Sequence, residues 1–458
     1  MTALVPALLA LALAAPVGSP AGSEPPAPLP FDPTPQPRRY QIERIRIVGL
    51  HRAKESEVRR RLLVAEGELL DEERVLLSRL RLLQLGWFSR VETRVERGSE
   101  RGLVVLVVMV TERNTLIITD LIIGGTPAEP IYGGIGLSQQ NFLGRGFGLS
   151  GAFVWGGPQV PDRFALRGAF FAPDVPVPGL RRGLVLGASF LLLQAEEFVC
   201  SDPSCSAFQG DLGNAPRIRY RRLGGEGTLG VRPGPFERIF GSYRYEAVDA
   251  TQEGFSGPAP GPVPPILAGR STLSALSGTY EMDTRDDFFF PREGWRGMFQ
   301  VTFASRLLGS DYEYSRYLLQ AESAYSILGH LRLQGAVGAA QGSAPFFDRF
   351  YAADWNYFSI GPALARALEI NYSTDSRYDA FLVMGGTEYA IPLWSGSSFF
   401  RRGFLALGAR LVYSTATLGG GSRTTTSTTP FSADVALRFD TPVGMFNFST
   451  AYLLDIFL

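Results

Sequence analysis

From Thr115 to Leu458 the chain repeats one pattern. Segments of nine or more residues alternate apolar with small or polar side chains, and turn residues punctuate them. "LSGAFVWGG", "RFALRGAFFAP", "GLVLGASFLLLQ", "RIFGSYRYEAV", "GWRGMFQVTFASR", "HLRLQGAVGAAQG", "FLVMGGTEYAIPL", "GFLALGARLVYS" and "SADVALRFDTPVG" all show it. Period-two alternation makes strands with two unlike faces. A strand crosses a bilayer in about 9–11 residues. In lipid every backbone N–H and C=O needs a partner inside the protein, so strands cross only as a closed barrel. No run of about 18 apolar residues follows the N-terminal region, which argues against helical spans.

The loops have the same logic. Short turns ("NFLGRGFG", "PDVPVPGLRRG", "RPGPFER", "DFFFPREG", "DTPVG") alternate with long connections at 195–216, 251–270, roughly 343–379 and 414–430. Membrane barrels of this kind have short periplasmic turns and long external loops. The predicted fold is therefore an all-β transmembrane β-barrel of about sixteen antiparallel strands. Fifteen are plain in the pattern, and "LEINYS" at 368–373 is the candidate sixteenth. An odd number would leave the first and last strands parallel at the seam.

What precedes the barrel fits export. "LVPALLALALAA" from Leu4 is too short to span a bilayer and is followed by small residues and then "EPPAPLPFDPTPQP". Residues 1–22 read as a signal peptide, although Lys and Arg are missing before the apolar run, and 23–39 as a Pro-rich linker. The other reading of this stretch is a disordered tail. In an exported chain, Cys200 and Cys205 in "CSDPSC" predict a small disulfide clip. The same spacing suits a metal pair, but no histidine lies near.

Residues 40–114 follow different rules. "IERIRIVGL" alternates as a strand and ends at Gly49. "KESEVRRRLL" places Val58 and Leu62 on one face of a short helix. Asp71, Glu72 and Glu73 open a second helix at its positive dipole end, with Val75, Leu76, Leu80 and Leu83 as the expected buried stripe. In "SRVETRVER", Val91 and Val95 point one way, and Arg90, Glu92, Arg94 and Glu96 the other. "LVVLVVMV" is apolar throughout, as a central strand would be. The order is β-α-α-β-β, a small α+β domain.

One stretch, "MDTRDDFFFPREGW" (Met282–Trp295), sets charges beside bare aromatics. Between two membrane strands this makes sense, because the local solvent changes over a few ångströms. Asp283, Arg285, Asp286 and Asp287 are placed on the watery side or in the lumen mouth. Phe288, Phe289, Phe290 and Trp295 are expected in the aromatic belt. Pro291 and Gly294 make the turn.

Residues 40–114 resemble a POTRA domain, through "IERIRIVGL", "LGWFSRV" and "VTERN". The remainder resembles the barrel of the BamA/TamA-like outer-membrane assembly factor superfamily, the bacterial surface antigen family. The motifs are "SQQNFLGRGFGLS", the D-x-R-D…P-x-x-G turn at Asp283, "PFFDRFYAADWN" with "GGTEYAIPL", and "LRFDTPVG". The resemblance implies insertion of outer-membrane proteins. A client strand would add to a seam that pairs weakly, here Thr115–Ile123 against Phe446–Leu458. It also implies that the domain at 40–114, in the periplasm, binds unfolded clients or a periplasmic partner along a sheet edge. The charged strand Arg90–Glu96 is the candidate edge. Its charges are equally readable as a block against unwanted pairing. One departure stands out: the family's inward loop carries an Arg-Gly-Phe motif, absent from 343–379, where Arg366 is the candidate substitute.

The alternative function is a passive or secretion pore with the same architecture. An enzyme is disfavoured. The two histidines, His51 and His330, fall in different domains, and no sequence motif gathers a catalytic, cofactor or metal site. Zero formal charge gives no field for nucleic acid, so the expected surroundings are an outer-membrane bilayer and protein clients.

Overall fold

The computed structural model describes residues 40–124, 132–156, 163–177, 183–198, 217–253, 265–287, 290–351, 378–396, 399–415 and 430–455. The predicted signal peptide and linker, the Cys200–Cys205 pair, Phe288, Phe289, "LEINYS" and Arg366 lie outside them.

The N-terminal domain contains β1 (Gln41–Val48), α1 (Glu55–Arg59), α2 (Glu72–Leu83), β2 (Phe88–Arg97) and β3 (Leu103–Glu112). The sheet order is β1-β3-β2, with β1 parallel and β2 antiparallel to β3. The all-apolar strand is central, as its composition requires. Ile42, Ile45, Val58, Val75, Leu82, Trp87, Phe88, Val91 and Val108 form the core under the two helices. Asp71 caps α2 by accepting from the Arg74 amide at 3.1 Å.

One detail differs from the sequence reading. The buried face of α2 is Val75, Ser78 and Leu82, and Leu76 is exposed. Ser78 can be buried because its hydroxyl donates to the Arg74 carbonyl at 2.7 Å and accepts from the Leu63 amide at 2.8 Å. Val95, on the same face of β2 as Val91, is exposed, whereas Val91 is buried. "VTERN" also acquires a purpose. The Glu112 carboxylate accepts from the backbone amides of His51, Arg52 and Ala53 at 2.9–3.1 Å, tying down the loop after β1. Burial raises its pKa, but those three amides outweigh burial and hold it below the usual carboxylate range.

The barrel is one sheet of fifteen strands among the described residues. They are β4 (Leu116–Gly124), β5 (Tyr132–Phe142), β6 (Phe147–Gly156), β7 (Phe164–Val175), β8 (Leu184–Phe198), β9 (Arg217–Val231), β10 (Glu237–Glu253), β11 (Gly269–Asp283), β12 (Gly294–Ala304), β13 (Tyr314–Ser326), β14 (His330–Gly342), β17 (Phe381–Ser395), β18 (Arg402–Thr415), β19 (Pro430–Thr441) and β20 (Gly444–Asp455). Each of the fourteen neighbouring pairs is antiparallel. Between β14 and β17, the short strands β15 (Phe350–Tyr351) and β16 (Tyr378–Asp379) pair with each other.

The alternation sorts by solvent. On β6, Phe153 and Trp155 are exposed while Val154 between them is buried. Tyr243, Tyr245, Phe299, Phe303, Leu333, Val337, Leu407 and Leu411 continue this apolar outer surface around the wall. The inner surface carries Arg222, Glu246, Glu281, Glu388, Arg410 and Asp434, all largely buried. Apolar outside and charged inside is the arrangement of a wall between lipid and a polar lumen. No helix among the described residues is long and apolar enough to cross a membrane.

Candidate functional site: the periplasmic mouth, its edge strand and the lumen loop

Among the described residues, β2 has a neighbour on one side only. The Gly98 amide donates back to Leu103 of β3, so even-numbered residues there face the ladder. By alternation, Val91, Thr93, Val95 and Arg97 direct their main chain outward. The first outward carbonyl is taken, since Arg79 Nε of α2 donates to Val91 O at 2.8 Å. Arg90, Glu92 and Arg94 are exposed and Glu96 is half-buried. Arg90 and Glu92 approach to 3.6 Å, Arg94 and Glu96 to 3.9 Å, and Glu96 also meets Arg46 of β1 at 2.7 Å. These pairs lie over the sheet face, and from Thr93 on the outward main chain has no strand beside it among the described residues.

The turn Asp283–Gly294 is a packed hub. Arg285 Nε and Nη2 donate to the two Asp283 oxygens at 3.0 and 2.8 Å, and its Nη1 lies 3.4 Å from Glu322 on β13. Asp286 accepts from the amides of Arg292 and Glu293 at 2.7 and 3.1 Å. Gly294 has φ +103°, and a Cβ there would sit 2.4 Å from Thr284 O, so glycine is required. Pro291 is buried. Trp295 is exposed, in keeping with a belt position. Phe290 is not in the belt. It is buried, stacks on Phe404 at 4.9 Å, and lies beneath the Arg402 guanidinium at 4.8 Å. Asp287 fixes it there by accepting its amide at 3.1 Å, which turns the ring into the lumen mouth.

The N-terminal domain seats on these turns. Gln84, at the end of α2, donates to the carbonyls of Asp283 and Arg285 at 3.0 and 2.8 Å. Trp87 Nε1 donates to Gln140 O at 3.2 Å, and the Lys54 amide to Gly144 O at 3.2 Å. Gly146 passes so near Trp87 that a Cβ would meet its ring at 2.5 Å. The motifs "LGWFSRV" and "NFLGRGFG" are therefore two halves of one joint.

Inside the barrel, the segment after β14 turns into the lumen. Phe346, fully buried, packs edge-on to Tyr220 at 5.2 Å. Phe347 lies under the Arg222 guanidinium at 3.8 Å, and Phe350 under Arg316 at 4.8 Å. Asp348 accepts hydrogen bonds from Arg244 of β10 and from the Tyr314 hydroxyl of β13. The sequence reading sought a cation on this loop. The described anchor has the opposite polarity, an aspartate on the loop and an arginine on the wall.

Comparison with known proteins matches this architecture. The model of the Omp85 superfamily domain covers residues 141–455, and that of the POTRA domain (surface antigen variable number repeat) covers 40–113. The chain belongs to the Omp85 superfamily. It is 24% identical over 367 residues to an outer membrane protein assembly factor BamA of Neorickettsia risticii (strain Illinois), covering 78% of this chain and 45% of that protein. It thus spans less than half the length of this curated relative. Among solved structures, CdiB from Escherichia coli superposes with a TM-score of 0.59 at 10% identity, over 91% of this chain and 73% of that one. BamA from Haemophilus ducreyi lacking POTRA domains 1–3 gives 0.49 at 18% identity, over 92% and 82%.

In this Omp85 barrel the ends of the sheet are β4 and β20, the strands expected at the seam. The Ile118 amide donates to Val443 O at 2.7 Å, just before β20 begins. Arg113, leading into β4, lies 3.6 Å from Asp440 at the end of β19, and Arg402 lies 2.8 Å from the same residue. Among the described residues, the two strands touch at their periplasmic ends without a register of ladder pairs like those of every other neighbouring pair in the sheet. Among the described residues, no three potential metal ligands cluster.

Proposed function

We propose that this Omp85 chain assists the insertion of β-barrel proteins into the outer membrane, with its POTRA domain in the periplasm. An unfolded client strand pairs with the free edge of β2 and then with the main chain at the β4–β20 seam. The pairing supplies the hydrogen bonds that lipid cannot. The observation that carries this reading is the seam. Fourteen strand pairs run in antiparallel ladder register, whereas among the described residues β4 and β20 share no ladder pairs and the main-chain hydrogen bond there, Ile118 to Val443, reaches the turn before β20. The proposal assigns no catalytic step and no cofactor, and its partners are lipid and protein.

The test is depletion of the protein with quantitation of the outer-membrane proteome. Barrel proteins should fall together. Unchanged barrel levels would remove the proposal and leave the pore reading, which predicts a large, steady conductance in planar bilayers. The Asp348–Arg244 anchor, which holds loop segments inside the lumen, supports the assembly reading over a passive channel.

A further inference from the structure

Where the POTRA helices meet the barrel rim between β7 and β10, cations outnumber anions in a buried space. Arg60 Nη1 lies 3.1 Å from Asp174 Oδ1 and donates to its carbonyl at 2.7 Å. Arg81 Nη2 lies 3.7 Å from Asp174 Oδ2. Arg61 Nη1 donates to Glu57 at 2.7 Å, and Arg60 also pairs with Glu57. Arg232, in the turn between β9 and β10, donates to Pro235 O. Among the described residues, four guanidinium groups thus share two carboxylates. The next arginine on the rim, Arg238, is matched by Glu281 at 3.1 Å and adds nothing to the balance.

The donors tell the same story. Arg61 has a side chain only 1% exposed, and its Nε and Nη2 have no acceptor. Arg81 Nε and Arg232 Nε are also buried without one. The Trp87 ring, 4.7 Å from the Arg61 guanidinium, offsets part of the charge but offers no oxygen. Burial, and after it repulsion from Arg81, pushes the Arg232 pKa down to about 9, so the group remains charged at neutral pH. A buried charge needs a counter-charge and its hydrogen bonds. Forked guanidinium groups from different elements match the oxygens of a phosphate.

We infer that this junction binds a phosphate-class oxyanion among Arg61, Arg81 and Arg232, which bridges the POTRA domain to the barrel rim. The chemistry has two sources in the periplasm: free inorganic phosphate and the headgroup of an anionic phospholipid from the adjacent leaflet. The inference does not depend on the assembly reading.

The test uses the full chain, delipidated in non-ionic detergent, with chloride at matched ionic strength. Inorganic phosphate should raise the thermal midpoint saturably, by mass action on the folded state. Arg81→Gln with Arg232→Gln should abolish the rise while far-UV circular dichroism still reports the sheet. Asp174→Asn removes a competing carboxylate and should tighten phosphate several-fold, a change of the opposite sign. If phosphate is ineffective but nanodiscs containing phosphatidylglycerol, and not phosphatidylcholine alone, give the arginine-dependent rise, the headgroup is the ligand. No rise with either probe, or a rise that the double variant retains, overturns the inference.

Discussion

Asp348 and Arg244 are 104 residues apart in sequence and share a hydrogen-bonded ion pair inside the barrel, with the Tyr314 hydroxyl as third partner. The pair links the lumen loop to the wall. Removing Asp348 takes the nearer carboxylate from the buried Arg244 guanidinium and leaves Glu246 at 3.8 Å, at a cost of about 3 kcal/mol. Asp348→Ala should therefore free the loop base. Planar-bilayer recordings should show larger and noisier conductance than the parent. The charge swap Asp348→Arg with Arg244→Asp should restore much of the quiet state.

The outward position of Val337, beside the buried Ala336 on β14, makes a clean probe of the lipid face. Val337→Arg should cost about 2–4 kcal/mol if Val337 lies near the bilayer midplane. Urea titration of folding into phospholipid vesicles measures it. An exposed position on the POTRA domain, such as Leu76→Arg, should shift the same titration by about 0.5 kcal/mol or less.

The POTRA joint depends on close approach at Gly146. Gly146→Val would force side-chain atoms into Trp87 and Arg61, and it would also be strained at φ +75°. Overpacking of this kind costs about 1–3 kcal/mol. The expected outcome is a POTRA domain that swings away from the rim while the barrel stays intact. A spin-label pair on Arg90→Cys and Leu328→Cys, with both native cysteines replaced, should report a broadened distance distribution.

Glu112 should make the loop after β1 acid-sensitive. Its folded pKa is depressed, so its contribution is present above the unfolded carboxylate value, about 4.3, and is lost as pH falls through the folded value. Amide hydrogen exchange at His51, Arg52 and Ala53, corrected for intrinsic rate, should speed up in that acid range. Glu112→Gln should show the faster exchange already at neutral pH. The loss should be about 1–2 kcal/mol of local protection.

The wall was legible in the sequence because its physics is local. Alternation of period two follows directly from a strand with lipid on one side, and "LVVLVVMV" announces a central strand by having no polar face. Contacts across long sequence separations were not legible. Val95 continues the Val91 alternation, yet Val91 is packed in the core and Val95 is exposed. Phe290 reads as one of three equal phenylalanines until Asp287 and Phe404 single it out. The lumen anchor was hidden for a different reason. "PFFDRF" resembles the family's inward loop, and the family pattern there points to an arginine rather than to Asp348. A lone aspartate among three phenylalanines was the available signal, since such a carboxylate needs a cation from elsewhere in the fold.

The Arg79 cap on Val91 O gives β2 an end-stop. Any chain that lies along this strand finds its first berth already filled and must begin its count at Thr93. Sliding toward the helix is thereby arrested, and a visitor's residues fall into a fixed phase, odd ones to one side and even ones to the other. On the proposed client pairing, the arginine would be the zero mark of a ruler, setting where a guest strand sits without touching its side chains.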